Sequence, residues 1–278
     1  MTSFPDTKNG RYSVLIMAAN RHGIENPVAR LGNATHKCIV PIAGIPMIDR
    51  VLKILAAWGK ARRVLISIED EAVLQQAPYA AELLNAGAIE TVKSGLSLTD
   101  SVLAASETLS EDDYPLLITT GDNVMHTPEV LERFTTGVAA ETGDLGAALT
   151  ARSTVEAAYP DKAEKVGYLR FAEGEYSNCN IYLLTSPRHL DVVRIMRDGG
   201  QFRHSLKRIY RAFGLATMLK YKFGKARISD IRKRIEREYG LRMAVIYLDI
   251  ATAPLDVDTP VTFAIAEAIL KDREKAEA

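Results

Sequence analysis

The sequence predicts an α/β protein built on a doubly wound, mostly parallel sheet with a smaller inserted lobe. Two observations carry this. Short, almost wholly apolar runs, of which Ser13 to Ala19 is the clearest, suit strands buried on both faces of a parallel sheet. Segments with helical apolar spacing alternate with them up to about residue 140, which is the rhythm of βαβ units.

After Ser13 to Ala19 a long polar loop runs from Asn20 to about Pro46. Met47 to Trp58 follows, with Met47, Ile48, Val51, Leu52 and Leu55 at helical spacing. Val64 to Ile68, Ile89 to Lys93 and Leu116 to Thr120 read as further strands. Glu71 to Asn85, Asp100 to Leu109 and Pro128 to Ala140 read as the helices between and after them, the last opening on a proline suited to a first turn. Beyond Gly146 the rhythm changes. Gly146 to Arg152 reads as a strand, and Tyr168 to Phe171 with Ile181 to Leu184 as a hairpin around a polar link. Two basic helical stretches follow, Arg203 to Phe213 and Ile228 to Tyr239. Met243 to Ile250 and Pro260 to Lys271 then give a closing strand and helix. The chain is thus expected to be one domain, with a main part at 11–150, a lobe at 151–242 and a closing unit at 243–278.

Of the 278 residues, 47% are hydrophobic and 25% charged, enough for a full core. Lys and Arg total 35 and Asp and Glu 35, so bulk charge gives no pull toward nucleic acid or an anionic membrane. Cys38 and Cys179 are too few for a disulfide framework or a zinc site and are expected to be reduced thiols of a cytoplasmic protein. Met1 to Gly10 is polar and is expected to be no signal peptide. No apolar run approaches the ~18 residues of a membrane span.

Four motifs carry chemistry. In doubly wound sheets ligands bind at the carboxyl ends of strands. The first strand ends in AANRHG (Ala18 to Gly23), followed by GNATHK up to Lys37, a loop whose N–H groups and cations could wrap phosphates. HKCIVPIAGIPMIDRVL leads from there into the first helix. The second motif is KSGLSLTDSV (Lys93 to Val102); its small residues and hydroxyls could meet a base, or Thr99 or Asp100 could merely cap a helix. The third is ITTGDN, with Asp122 at the end of a buried strand, a costly place for a carboxylate unless a cation meets it. The fourth is LDVDTP, in which Asp258 could ligate a cation or, with Thr259, cap a helix opening at Pro260. Asp256 shares its side of an extended segment.

The run from Lys37 to Leu52, with Pro41, Gly44, Pro46 and Met47, resembles the MobA-like and cytidylyltransferase-like nucleotidyltransferases of GT-A, Rossmann-like fold. Asn20 stands where that family usually has glycine, and IENPVAR (Ile24 to Arg30) lengthens the loop. The resemblance implies transfer of a nucleoside monophosphate, with CTP favoured, to a small phosphorylated acceptor. It implies Mg²⁺ held by Asp122 and Asp258, with Lys37 and Arg21, or Arg30 in place of Arg21, contacting phosphates as catalytic groups. Ala18, Ala19, Asn20, Gly23, Ser94, Gly95, Ser101 and Gly121 complete the implied nucleotide site, although the arginine usual in the second motif is missing. EYSNCNIY resembles the strand that offers an Asn to the acceptor, making Asn180, then Asn178, the candidates. The basic lobe adds Arg203, Lys207 and Lys222 as anion contacts, or else as a solvated face. A narrower resemblance is to phosphoglycerate cytidylyltransferases that supply headgroups to bacterial anionic sphingolipids. Two rivals remain at this point: a GT-A glycosyltransferase, since Asp256-Val257-Asp258 is a D-x-D string, and a non-catalytic NTP-binding module, given Asn20. The sequence leaves the oligomeric state open.

Overall fold

A computed structural model describes residues 4–20, 25–196 and 206–277. Its centre is an eight-stranded sheet. Strand β1 (Tyr12–Met17) lies between β4 (Ala61–Ile68) and β6 (Leu116–Thr120), parallel to both, and β5 (Glu90–Lys93) extends the sheet beyond β4. On the other side β9 (Gly174–Leu184) runs antiparallel between β6 and β7 (Leu145–Ala151). β10 (Met243–Tyr247) pairs parallel with β7, and β8 (Leu169–Phe171) pairs with β9. A separate ribbon, β2 (Pro41–Ile42) and β3 (Ile45–Pro46), turns at Ala43 and Gly44. Both have positive φ, 47° and 78°, as a tight hairpin turn requires.

Alternation along β1 builds two cores. Val14 and Ile16 face α2 (Met47–Trp58), α3 (Pro78–Asn85) and α5 (Pro128–Ala140), meeting Leu52, Leu55, Leu83 and Phe134. Leu15 faces the opposite layer, with Val102 of α4 (Leu98–Ser106) and Ile235 of α9 (Ile228–Tyr239). The same layer contains α8 (Leu206–Lys222), two helical pieces joined across Gly214 at φ 81°. A third core packs α10 (Pro260–Glu277) against the β2–β3 ribbon and α1 (Pro27–Leu31) through Val28, Ile42, Ile269 and Leu270. This packing carries the end of the chain back to the carboxyl edge of the sheet.

The predicted fold class is present. Three local expectations change. Glu71 to Asn85 is not one helix: Pro78 lacks the N–H to continue a turn, so a 3-10 turn at Glu71–Gln76 precedes α3. The polar link before Ile181 is strand, because Ser177 and Cys179 alternate inward with Ile181 and Leu183. Ser97, not Thr99 or Asp100, caps α4, accepting from Asp100 N–H at 3.1 Å, while Thr99 donates to the Val193 carbonyl at 2.8 Å. Three short helices, α1 inside the loop expected from Asn20 to Pro46, α6 (Arg152–Ala158) and α7 (Pro160–Ala163), were not expected from the sequence, nor was the β2–β3 ribbon.

Candidate functional site

Three distant segments converge where β1 and β6 end. Lys37 opens a 3-10 turn pinned by buried Cys38 and Ile39. Asp122 follows β6, the intervening Gly121 donating its N–H to the Met17 carbonyl at 2.9 Å. Asp258 precedes α10. Thr259 caps that helix, accepting from Thr262 N–H at 3.1 Å, so the Asp258 carboxylate is left to face inward. The Lys37 ammonium donates to Asp122 and, at 2.7 Å, to Asp258, residues 85 and 221 positions away. The Thr120 hydroxyl donates to the second Asp122 oxygen.

Burial disfavours the charge on Lys37, but Asp122 and Asp258 outweigh it and raise its pKa above the ordinary value. Burial likewise opposes ionisation of Asp122, yet Lys37 and Thr120 keep its pKa low. Asp256 is different. Burial first, then the charges of Asp258 and Asp122, push its pKa up to about 7. The two carboxylates of the D-x-D string thus have separate partners, Lys37 for Asp258 and the Asn180 amide, at 2.7 Å, for Asp256.

Asn180 reaches Asp256 because β9 bulges. Opposite β7 the register slips between Ala147 and Leu149, and Asn180 takes φ 51°, a conformation asparagine tolerates. Two residues after β6 hold the bulge: the Asn123 amide donates to the Asn180 carbonyl at 3.1 Å and His126 Nε2 meets the Cys179 carbonyl at 3.0 Å. Burial pushes the His126 pKa down to about 4, so the ring is neutral and structural. Asn178 is drawn into the same corner, accepting from Asn180 N–H at 3.1 Å. Burial pushes both thiols, Cys38 and Cys179, up to about 12, which removes them as nucleophiles.

On the other side of β1, Ala18, Ala19 and Asn20 form the start of the first loop. Asn20 donates its N–H to Glu69 at 3.0 Å and its amide to the Thr35 carbonyl at 2.7 Å; His36 also meets Glu69 at 3.0 Å. The residue in the usual glycine position therefore fastens the loop to the end of β4. Ser94 and Gly95 follow β5. Gly95 donates to Ser101 Oγ at 2.9 Å, and a Cβ there would come within 2.5 Å of Asp100 Cβ and 2.8 Å of its carbonyl carbon, so only glycine fits. Arg30 is exposed on α1. Arg21, Gly23 and Arg203 lie outside the described residues. Lys207 and Lys222 are exposed on α8 and do not line the cavity that holds Asn180. Glu69, His36, Asn123 and His126 were not singled out in the sequence; Asn123 stands inside the ITTGDN motif and His36 inside GNATHK, and nothing marks the other two.

The cavity has a volume of about 540 Å³. Asn180, Asp256, Asp258 and Thr259 line one end, and it continues between the sheet and the α8–α9 layer. Among the described residues no group of three or more His, Cys, Asp or Glu is arranged to hold a metal ion alone. Asp122 and Asp258 nevertheless offer hard oxygen donors within reach of one ammonium. That suits a Mg²⁺ ion, which takes one or two carboxylates and completes its shell with water and phosphate oxygens. Among the described residues no helix is long and apolar enough to cross a membrane.

Residues 27–216 match the model of the MobA-like NTP transferase domain. No curated protein matches significantly. Among solved structures, a hypothetical transferase from Thermus thermophilus aligns at 21% identity and TM-score 0.67, over 91% of this chain and 99% of that one. A CMP:2-keto-3-deoxy-manno-octonic acid synthetase complexed with CTP aligns at 16% identity and TM-score 0.59, over 95% and 100%. A 4-diphosphocytidyl-2C-methyl-D-erythritol synthase from Anaerococcus prevotii DSM 20548 aligns at 10% and 0.52, over 95% and 100%. These likenesses bear out the fold.

Proposed function

The chain belongs to the MobA-like NTP transferase family, and from that premise we propose that it transfers CMP from CTP, with Mg²⁺, to a small phosphorylated acceptor, releasing pyrophosphate. The observation that carries this is the Lys37–Asp122–Asp258 cluster at the joined ends of β1 and β6. One ammonium stands there against the carboxylates of Asp122 and Asp258. A triphosphate adds further negative charge and needs a cation to enter. Asp122 and Asp258 would hold Mg²⁺, which when bound neutralises the phosphates and steadies the leaving pyrophosphate.

The chain's own residues do the rest. Lys37 lies where its ammonium can turn from the carboxylates to phosphate oxygens, and the loop arginine, Arg21 or Arg30, shares that task. Ser94 and Gly95 would meet the base with backbone groups, and Ser101 would fix their loop by accepting from Gly95 N–H at 2.9 Å. Two structural relatives are named for cytidylyl chemistry, one of them bound to CTP, and this supports CTP as donor. Asn180 and Asp256 orient the acceptor. Its phosphate oxygen forms the bond to the α-phosphorus as the bond to the pyrophosphate oxygen breaks; a phosphomonoester is already anionic near neutral pH, so no strong general base is required. Phosphoglycerate and sugar or polyol phosphates are the first acceptors to try.

The test is a screen of four NTPs against such acceptors with Mg²⁺, following pyrophosphate. Pyrophosphate formed only when acceptor is present supports the reading. NTP binding without pyrophosphate release across the panel, or full turnover by Lys37→Ala, defeats it.

A further inference from the structure

The cavity beside Asn180 and Asp256, at about 540 Å³, is large for a compact anion and has a mostly apolar lining. Beyond its polar end it is walled by Leu149 and Val245 of the sheet, Ile209 and Phe213 of α8, and Ile231 and Ile235 of α9. Lys165, exposed near the mouth, is the lining cation among the described residues; Lys207 and Lys222 lie outside it. Ligand sites are mostly apolar with a few placed polar groups that fix the ligand's orientation. Here Asn180, Asp256, Asp258 and Thr259 stand at one end, next to the charged cluster, and most of the remaining lining is apolar, with Thr217 and Tyr221 of α8 among it.

We propose that the acceptor is an amphiphile, a phosphomonoester carrying an alkyl chain, with its head at Asn180 and Asp256 and its chain in the cavity under α8 and α9. This deepens the transferase reading and rests on it for the identity of the head. Phosphoglycerate, a compact polyanion, would leave most of the cavity unfilled. A second observation lies on the outer side of α8 and the turn after it, where Leu215, Leu219 and Phe223 are 41–67% exposed beside Lys220, Lys222 and Lys225, a mixture suited to an interface rich in anionic amphiphile. The shared chemistry is the alkyl phosphate, delivered either as a free molecule or from a lipid surface.

The experiment uses a series from methyl to decyl phosphate. Calorimetry on the nucleotide-free protein gives direct binding, and pyrophosphate release with CTP and Mg²⁺ gives KM. Each methylene buried in the cavity should tighten binding and lower KM about fourfold, the equivalent of about 0.8 kcal/mol, until the cavity is full. Thr217→Phe on α8 and Ile231→Phe on α9 narrow the cavity from different elements. Each should bring the decyl phosphate constants toward those of methyl phosphate, with nucleotide binding reporting that the variant is folded. Decyl phosphate in neutral vesicles, compared with the monomer, tells the sources apart: faster turnover from vesicles assigns a lipid surface, equal turnover a free amphiphile, and both retain the proposal. Chain-length dependence of binding without pyrophosphate release from any NTP would keep the apolar site and remove the transferase reading. Pyrophosphate release with constants independent of chain length would do the reverse and overturn the proposal.

Discussion

The two ends of the cavity are built on opposite terms. At the charged end every side chain has a named partner: Lys37 has Asp122 and Asp258, Asp256 has Asn180, and the bulge behind Asn180 has Asn123 and His126. At the apolar end Ile209, Ile231, Ile235 and Val245 supply volume and no directed contact. Directed contacts fail when one member is lost, because a buried charge or donor is left without its match. Volume fails gradually, by the methylene. Substitutions at the charged end should therefore act sharply and on chemistry, and those at the apolar end weakly and on packing or acceptor fit.

The largest expected effect is at Lys37. Lys37→Ala should lower kcat for pyrophosphate release by about 10²–10³-fold, as loss of one preorganised charge partner does at other sites, and steady-state kinetics with CTP will show it. Next is the neutral His126. Its folded pKa, about 4, lies below the unfolded value of 6.5, so the folded state binds fewer protons in between. Stability is full above pH 6.5 and falls as pH drops, by about 1.4 kcal/mol per unit and about 3 kcal/mol in all by pH 4. Urea titrations from pH 7 to 4 should show this fall, and His126→Gln should flatten it. Asn180→Ala should raise the acceptor KM about tenfold while sparing the KM for CTP, the loss of one hydrogen bond to a carboxyl group. The smallest effect belongs to the apolar end. Ile209→Val should cost about 0.5 kcal/mol in thermal or urea unfolding and leave kcat with methyl phosphate alone. A large kcat loss there would break the contrast.

The charged end was legible in the sequence, since its residues sit in short strings whose composition is set by backbone geometry: a glycine and an acid after a buried strand, and an acid before Thr-Pro. The apolar end was not. Val245, Ile231 and Ile235 have the same spacing whether they meet another side chain or an open cavity, and periodicity reports a face but not its partner. The bulge was illegible for a related reason: Ser177 and Cys179 do not look like core, so the first half of β9 read as a link, and the partners that stabilise Asn180 at φ 51° come from residues more than 50 positions away. The basic residues of the lobe gave the opposite result. Lys207 and Lys222 stood out as anion contacts, yet both point to solvent from α8 and stay off the cavity wall.

The account turns on the Lys37–Asp122–Asp258 cluster handling a triphosphate in a transfer reaction. The most direct measurement follows α-labelled CTP with Mg²⁺ and a phosphorylated acceptor. The account predicts that label passes to the acceptor in a one-to-one ratio with pyrophosphate, and that Asp122→Asn and Lys37→Ala suppress both together. Label recovered as CDP with inorganic phosphate, or transfer that survives both substitutions, would contradict it.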